Sequence, residues 1–378
     1  MGSFCRKWKM LPWVAALLAM NGGLALAQSS WTTLGPVPRY GHTAAYDAAT
    51  DKIIVFGGQA NGSVLLNDVW YATSVTPNAN TAALGLTWAQ GSPRGTAPSA
   101  RFGHTALYSA VMNRLLVFGG STSTTMSGTC VNDYWALNGA NGTGTSYSWS
   151  KAAPTGTAPS ARMGHTAVYD SANDIMVVFG GYDCAGHYLA DVFVMQNAAG
   201  ISGKPSWSAL TVSGSGPAAR EFATAVYDPG TNRMIVYGGD QGSSPMGDVW
   251  VLNNANGRGG TASWTQLSPT GLAPTARSGH VAFYDPTNNR MTISGGYSGT
   301  AVVADSWVLV NANNSTTPNW TQLGATAIGN VPPRRFHTMV YVPAINTAVT
   351  FGGVSNAIIS SMSIDDHSFV LTLANGLP

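Results

Sequence analysis

The chain has 378 residues, of which 44% are hydrophobic and only 9% are charged. Its 18 basic and 16 acidic residues nearly balance, so the charge does not indicate binding to nucleic acid. The 45 glycines and the few charged residues favour many short strands joined by turns over long helices.

The first 27 residues have the pattern of a secretory signal peptide. A basic start, Arg6 to Lys9, precedes a short apolar core, Leu11 to Ala19, and Ala25-Leu26-Ala27 is a small-residue cleavage site. The apolar run is shorter than the roughly 20 residues that a membrane-spanning helix needs. We therefore expect residues 28–378 to form a mature protein that is secreted or periplasmic, near charge neutrality, monomeric and without a membrane span.

A set of landmarks occurs six times in order, with a period of about 57 to 62 residues. Each copy has Arg-x-x-His, a tyrosine four residues after the histidine position, an apolar run ending in Gly-Gly, Asp-x-aromatic, and a lone tryptophan. In the third copy these are Arg162/His165, Tyr169, Gly180-Gly181, Asp191/Phe193 and Trp207. The fourth copy has Ala223 where the histidine is expected, and the sixth is degenerate after its glycines.

Each copy is predicted to form four strands, a to d. Strand a runs from the histidine to the tyrosine, as in His42 to Tyr46, and strand b is the apolar run, as in Ile53 to Phe56, ended by the paired glycines. Strand c carries Asp-x-Trp, and strand d starts at the lone tryptophan, as in Trp264 to Leu267. Four antiparallel strands cannot bury both faces alone, whereas radial repetition can, so each copy is predicted to be a propeller blade.

The sixth copy ends before a tryptophan strand. Trp31-Thr32-Thr33-Leu34, before the first arginine, matches Trp320 to Leu323. We predict that this N-terminal strand completes blade six and closes the ring. The six blades are expected to start near Arg39, Arg101, Arg162, Arg220, Arg277 and Arg334.

These landmarks resemble the kelch repeat, and the similarity extends from Trp31 to about Leu373. The resemblance implies an all-β fold, a six-bladed kelch-type β-propeller with four-stranded antiparallel blades. Kelch propellers include protein-binding adaptors, sugar-oxidising enzymes and sugar epimerases, so function has to be argued from the site.

The repeated histidines are expected to surround the propeller axis. A metal site needs ligands that converge within about 2.0–2.1 Å of one ion, whereas the symmetry of a propeller holds equivalent residues apart. We therefore expect a structural role, such as a hydrogen bond to the backbone of the adjacent blade, and no metal or cofactor. These residues are His42, His104, His165, His280 and His337.

The repeated arginines fall in the loops between strand d of one blade and strand a of the next. In kelch adaptors that face, shared with the b–c loops, carries the ligand, so the resemblance implies a ring of hydrogen-bond donors. The alternative is that each arginine pairs with the aspartate of strand c. The candidate residues of this ligand-binding face are Arg39, Arg101, Arg162, Arg220, Arg277, Arg334 and the additional Arg335.

The clearest break in the repeat is Arg220-Glu221-Phe222-Ala223, which contains the only glutamate of the chain. Glu221 beside Arg220 at the mouth of a propeller could act as a general base or a sugar ligand, and the resemblance to kelch-type sugar epimerases implies such a pair. The alternative is that this copy has drifted and that Glu221 forms a surface ion pair.

Cys130 and Cys184 lie in the b–c loops of neighbouring blades, and both loops leave the same face. A disulfide between them is therefore expected, although two free thiols, or a metal site with Asp183 and His187, are the alternatives. The c–d loops, such as residues 138–142, are rich in Asn and Gly and are expected to be flexible surface loops on the opposite face.

The leading hypothesis is a secreted binding module that recognises a glycan or a protein through the d–a and b–c loops. The alternative is a sugar-active enzyme of the epimerase or mutarotase type, with Glu221 and Arg220 at the mouth, and a third hypothesis is a structural envelope protein. A copper-radical sugar oxidase is disfavoured, because the chain has His187-Tyr188 but no Tyr-His dipeptide, and lacks the additional domains of those enzymes.

Overall fold

A computed structural model describes residues 35–73, 75, 86–125, 128–144, 146–242, 244–324, 331–356, 364, 368–372 and 374–377. The predicted signal peptide and the predicted closing strand, Trp31 to Leu34, lie outside the described residues.

The described residues form six sheets, one for each copy of the repeat. Blade one contains β1 (Arg39–Tyr40), β2 (Thr43–Asp47), β3 (Lys52–Ala60), β4 (Val64–Thr73) and β5 (Thr87–Gly91). Blade two contains β6 (Thr105–Ser109), β7 (Arg114–Phe118), β8 (Tyr134–Asn138) and β9 (Ser148–Ala152). Blade three contains β10 (Thr155–Gly156), β11 (Thr166–Asp170), β12 (Ile175–Tyr182), β13 (Tyr188–Gln196) and β14 (Ser206–Ala209).

The second half of the chain follows the same order. Blade four contains β15 (Val212–Ser213), β16 (Thr224–Asp228), β17 (Arg233–Tyr237), β18 (Val249–Asn253) and β19 (Ala262–Leu267). Blade five contains β20 (Val281–Asp285), β21 (Arg290–Ser294), β22 (Ser306–Val310) and β23 (Asn319–Gln322). Blade six contains β24 (Thr338–Val342), β25 (Thr347–Phe351) and β26 (Ser368–Thr372), and short 3-10 turns lie at Asn61–Ser63 and Pro343–Ile345.

The first strand of each blade's a–d meander lies innermost. The strands β2, β6, β11, β16, β20 and β24 contact one another in that order, and β24 contacts β2. The inner ring is therefore closed by the described residues, and the six-bladed propeller predicted from the repeat is confirmed.

The hydrophobic core is divided among the gaps between blades. Ile54 and Phe56 of blade one pack with Leu115, Val117 and Trp149 of blade two, and corresponding clusters fill the other gaps. The b strands therefore bury both faces, as their unbroken apolar runs predict.

The blades depart from pure antiparallel pairing at their outer edges. The short strands β10 and β15 belong to the linkers that follow blades two and three, and each pairs in parallel with the outermost strand of the next blade. Such a linker covers a sheet edge that would otherwise present unpaired backbone groups.

The glycine pairs do not end strand b in every blade. The long strands β3 and β12 continue past the glycines after a shift in register, whereas β7, β17 and β21 end just before them. The prediction that the glycines terminate the strand is therefore correct for only part of the ring.

Candidate functional site

The repeated arginine holds the other landmarks of its blade together. In blade two, Nη1 and Nη2 of Arg101 donate to the two carboxylate oxygens of Asp133 at 2.6 and 3.0 Å, and Nη1 also donates to the carbonyl of Gly119 at 2.9 Å. The indole N–H of Trp135 donates to the same carboxylate at 2.7 Å. Burial by itself raises the pKa of Asp133. These hydrogen bonds and the charge of Arg101 outweigh burial and hold that pKa below its usual range.

This clamp recurs around the ring, which corrects the expectation of a donor ring on the ligand face. All six repeated arginines are 0–2% exposed, so their guanidinium groups are not presented to a ligand. The sixth donates to the carbonyl of Gly352 and stacks on the ring of Phe369. The other clamped pairs are Arg39–Asp68, Arg162–Asp191, Arg220–Asp248 and Arg277–Asp305.

The glycine pairs make room for the neighbouring blade. A Cβ on Gly119 would lie 2.8 Å from the ring of His165 and 2.9 Å from the carbonyl of Arg162, both in blade three. The backbone N–H of Gly120 donates to that same carbonyl at 2.8 Å. Any side chain here would separate the blades, which explains why the glycines recur together with the arginine and the histidine.

Four of the five repeated histidines join adjacent blades through a side-chain contact. Nε2 of His104 lies 3.0 Å from the hydroxyl of Thr43 in the preceding blade, and His42, His165 and His280 make the same contact with Thr338, Thr105 and Thr224. Burial lowers the pKa of His104 and that of His280 to about 3, so these rings are neutral. In the blade before His337, the position that is threonine in these contacts is Val281, and the ring nitrogens of His337 have no hydrogen-bond partner among the described residues.

A closed ring of backbone hydrogen bonds surrounds the axis at one end of the propeller. The residue two positions after each repeated arginine donates its N–H to the carbonyl of its counterpart in the preceding blade, over 2.7–3.0 Å. All six residues have φ between 52° and 64°, which favours glycine. We call this the mouth ring, and its members are Gly41, Gly103, Gly164, Phe222, Gly279 and Phe336.

Phe222 and Phe336 hold the positive φ without being glycines, at a cost on the order of 1–2 kcal/mol each. Their rings lie edge to face, with centroids 4.7 Å apart, across the mouth. Glycines of the mouth ring leave space for them, since a Cβ on Gly164 would meet Phe222 at 3.0 Å and one on Gly279 would meet Phe336 at 2.7 Å. The two phenylalanines separate a cavity above them from the axial channel, which the histidines line below.

The cavity above the two phenylalanines, called the mouth pocket below, has a volume of about 480 Å³. Its lining comes from both the d–a loops and the b–c loops, the two sets of loops that the sequence places on one face. The lining residues are Tyr40, Gly41, Phe102, Thr124, Thr125, Tyr182, Tyr188, Glu221, Phe222, Asp240, Gly242, Arg335 and Phe336.

One position per blade sets the chemistry of the mouth. The residue that follows each repeated arginine forms a backbone bridge with the residue that follows the glycine pair, so these six positions are equivalent. They are apolar or aromatic in blades one to three and polar in blades four to six. In chain order they are Tyr40, Phe102, Met163, Glu221, Ser278 and Arg335.

Glu221 is buried in the wall of the mouth pocket, and it does not form a surface ion pair. The side chain is 2% exposed, and its Oε2 atom has no hydrogen-bond partner among the described residues. Burial, together with the negative charge of Asp240, raises the pKa of Glu221 to about 8. The carboxyl group is therefore mostly protonated at neutral pH and can donate a hydrogen bond.

Asp240 and Arg335 complete the polar wall, and sequence reasoning missed the first of them. Asp240 pairs with Glu221 through two backbone hydrogen bonds of 2.9 and 3.0 Å. Burial raises the pKa of Asp240, and the charge of Arg335 opposes this shift. The guanidinium of Arg335 lies 4.9 Å from the ring centroid of Tyr297 and 5.1 Å from that of Phe336. Arg220 belongs to its clamp instead, so the expected Arg220–Glu221 pair is replaced by Glu221, Asp240 and Arg335.

A disulfide supports the aromatic wall. Cys130 and Cys184 are joined, with Cα atoms 5.6 Å apart, and both pack beside Tyr182. The carboxylate of Asp183 accepts hydrogen bonds from the following backbone and contacts Nδ1 of His187 at 2.8 Å, which closes the loop on itself. The described residues contain no group of three or more His, Cys, Asp or Glu side chains placed to hold a metal ion.

The opposite face carries a second set of contacts between blades, which corrects the expectation of flexible c–d loops there. The amide of Asn141 is 7% exposed and donates to the carboxylate of Asp47 in the preceding blade at 2.9 Å. The same contact joins Asn256 to Asp170, Asn313 to Asp228 and Asn375 to Asp285. The asparagines that indicate loops in the sequence are therefore buried links between blades.

Comparison with known proteins agrees with this architecture. A kelch-repeat family described as the KLHDC2/KLHL20/DRC7 Kelch-repeats domain matches residues 24–147 and 143–353. The structure titled "Structure of YjhT" has 16% sequence identity and a TM-score of 0.60, and the match covers 89% of this chain and 96% of that one. At this identity the likeness concerns the fold alone.

The chain is also similar to parts of longer proteins. Host cell factor homolog hcf-1 of Caenorhabditis elegans is 30% identical over 282 residues, which are 69% of this chain and 32% of that protein. Host cell factor 1 of Homo sapiens is 29% identical over 285 residues, or 71% of this chain and 12% of that protein. The chain therefore spans a third or less of the length of these relatives.

These observations define the molecule as a six-bladed β-propeller built from one repeated unit. The chain belongs to the kelch-repeat family. The kelch propeller fold suggests a protein-binding module. In the part of the chain that the structure describes, no helix has the length and hydropathy needed to cross a membrane.

Proposed function

We propose that this protein is an exported binding module whose ligand site is the mouth pocket, and that the ligand is a glycan or a polar group of a protein partner. The observation that carries the proposal is the buried Oε2 atom of Glu221, which lacks a hydrogen-bond partner among the described residues and belongs to the pocket wall. Leaving such a group unsatisfied costs about 1–3 kcal/mol, which a ligand that bonds to it would recover.

The remaining walls support the same proposal. Aromatic side chains offer large apolar contact areas with little loss of conformational freedom, and they dominate well-packed binding sites. Tyr40, Phe102, Tyr182 and Tyr188 provide such a surface in the lining of the pocket. The signal peptide predicted for residues 1–27 supports export to the periplasm or beyond, where glycans and surface proteins are accessible.

A thermal-shift screen of the purified protein against sugars, sugar acids and divalent metals tests the ligand class. A ligand at 100 times its Kd stabilises the native state by roughly 2.7 kcal/mol, which raises the Tm by several degrees. A hit that disappears in Glu221→Ala supports the pocket. If no sugar binds, a pull-down with the wild type and with Glu221→Ala decides for or against a protein partner, and the absence of both kinds of ligand contradicts the proposal.

Export is tested separately. Expression of the full chain in a Gram-negative host, followed by fractionation and N-terminal sequencing, is expected to yield a periplasmic protein that begins at Gln28. A protein that stays cytoplasmic and keeps its first residues would contradict export without affecting the pocket.

A sugar-active enzyme of the epimerase or mutarotase type is the second candidate, favoured by the two carboxyl groups of the pocket. Their environments differ, because one oxygen of Glu221 has no hydrogen-bond partner in the described part of the chain, whereas Ser278 and Arg335 oppose the rise in the pKa of Asp240. Pairs of carboxyl groups with unequal proton affinity are typical of acid–base catalysis. If a sugar binds, proton-exchange NMR of its anomers tests this candidate, and Glu221→Gln should then abolish turnover.

A further inference from the structure

The two halves of the mouth pocket differ in polarity. Blades one to three contribute four aromatic rings together with Thr124 and Thr125, and blades four and six contribute the charged or ionisable groups Glu221, Asp240 and Arg335. A ligand that fits must therefore present an apolar surface on one side and polar groups on the other.

The polar half is close to charge neutrality. Arg335 lies near enough to Asp240 for each to shift the other's pKa towards the charged form, and Glu221 has the only other ionisable carboxyl of the lining. An anionic ligand would meet the negative charge of Asp240, and a cationic ligand would meet the positive charge of the Arg335 guanidinium. A neutral ligand that both donates and accepts hydrogen bonds avoids both conflicts, since hydroxyl groups can do both.

The floor of the pocket is aromatic. Phe222 and Phe336 are held at positive φ, where the equivalent residue of the other four blades is glycine, and their rings cover the channel. A pocket of about 480 Å³ lies in the range of roughly 300–1,000 Å³ that is usual for small-molecule sites. A saturated ring with C–H bonds on one face and hydroxyl groups at its edge matches this combination of floor and walls.

We propose that the mouth pocket binds one neutral sugar ring, with its apolar face on the aromatic floor and wall and its hydroxyl groups directed to Glu221, Asp240 and Arg335. This inference rests on the proposed function and narrows its ligand class. In this arrangement Asp240 accepts hydrogen bonds from the sugar hydroxyl groups and Arg335 donates hydrogen bonds to them. The ring of Phe222 contributes to the affinity for the sugar and is not required for folding.

The test is titration calorimetry of the purified wild-type protein with matched series of sugars. For the gluco, galacto and manno configurations, the neutral methyl glycoside is compared with its uronic acid and its 2-amino sugar. We expect binding in one configuration, at least about tenfold tighter for the neutral sugar than for its charged counterparts, a difference of about 1.4 kcal/mol. This comparison requires no variant.

Two variants then test the assigned contacts. Asp240→Asn should weaken binding at least about tenfold, because it removes a charge-assisted hydrogen bond. Phe222→Gly should weaken binding about 3–10-fold through loss of the aromatic floor, while the protein stays folded because glycine tolerates the positive φ. Val111→Ser, at a side chain that is 73% exposed in the turn between β6 and β7, is the control and should bind like the wild type.

Each outcome has one meaning. Tighter binding of an acid or an amine than of the neutral sugar overturns this inference but leaves the proposed pocket standing. Binding that persists unchanged in both pocket variants overturns the placement of the ligand. Absence of binding for every sugar also overturns this inference, and the pull-down described above then decides whether the wider proposal survives.

Discussion

At the scale of single residues, the molecule separates repeated side chains from exceptional ones. The repeated arginines, histidines and glycines contact equivalent neighbours in most blades, and they are buried. The exceptions, Glu221, Phe222, Phe336 and Arg335, gather at the mouth. Residues that break the repeat do not make the contacts by which the repeated residues hold the blades together. They are therefore the better candidates for function.

Glu221 should make stability depend on pH. The folded protein raises its pKa to about 8, whereas the unfolded chain ionises it at the ordinary carboxyl value. Between the ordinary carboxyl pKa and pH 8, the unfolded state therefore binds fewer protons than the folded state. The free energy of unfolding falls as the pH rises through this range. Because Glu221→Gln removes the free-energy cost of this pKa shift, we expect the variant to be more stable than the wild type by roughly 3–4 kcal/mol at pH 7.5, and nearly equal to it at pH 4.

Chemical denaturation of both proteins at the two pH values measures this difference. Asp240, Tyr188 and Arg335 also face the site, but they are present in both proteins, so the comparison isolates Glu221. An equal difference between the two proteins at pH 4 and pH 7.5 would show that Glu221 is not protonated by the fold.

The contacts between histidines and threonines allow a paired test. Val281→Thr would give His337 the hydroxyl that four other histidines already contact, so we expect stabilisation of about 1 kcal/mol. Thr43→Val is the matched reverse change and removes the hydroxyl that His104 contacts, so it should destabilise by about 1–2 kcal/mol. Thermal unfolding of the two variants measures both, and shifts of the same sign would contradict the assigned role.

At the scale of the element, the blade is a sheet closed by one buried clamp. The arginine joins the aspartate at the start of strand c to the glycine pair after the apolar run. The arginine, glycine, aspartate and tryptophan of a blade therefore form one hydrogen-bonded cluster. The spacing of the landmarks was enough to predict all four strands of a blade. It left open whether the arginine faces a ligand or the aspartate, because both choices satisfy the same pattern.

Replacing one clamp arginine should be costly even when the charge is kept. Arg101→Lys loses the bidentate contact with Asp133 and the donor for Gly119, and leaves buried polar groups unsatisfied. We expect destabilisation of about 3–5 kcal/mol in chemical denaturation. Arg94→Lys, at an exposed position of the preceding linker, is the control and should stay within about 0.5 kcal/mol of the wild type. Similar effects for the two variants would contradict the clamp.

At the scale of the whole molecule, the ring has two levels of closure. The inner strands close through the contact of β24 with β2. At the outer level, β26 pairs with β25 on one side among the described residues, and Trp31 to Leu34 are predicted to pair on the other. An outer strand taken from the other end of the chain would join the first and last blades.

Two versions of the chain test this closure. A chain that begins at residue 28 keeps the predicted strand, and one that begins at residue 35 lacks it. We expect the shorter chain to unfold several degrees lower and to show an exposed edge by faster amide exchange in β26. Trp31→Ala in the longer chain should give a smaller loss in the same direction. Equal stability of the two chains would contradict the predicted strand.

The sequence by itself determined the number of blades, the order of their strands and the residues that break the repeat, because periodicity and apolar runs are local signals. It also singled out Glu221 and Arg335 as exceptions. Only the tertiary structure decided what these exceptions do. Glu221 and Asp240 lie in two loops of blade four and pair with each other there, whereas Arg335 belongs to blade six and joins the same pocket only when the ring closes. The mouth ring depends on that closure in the same way, since each of its hydrogen bonds joins two neighbouring blades rather than two residues of one repeat.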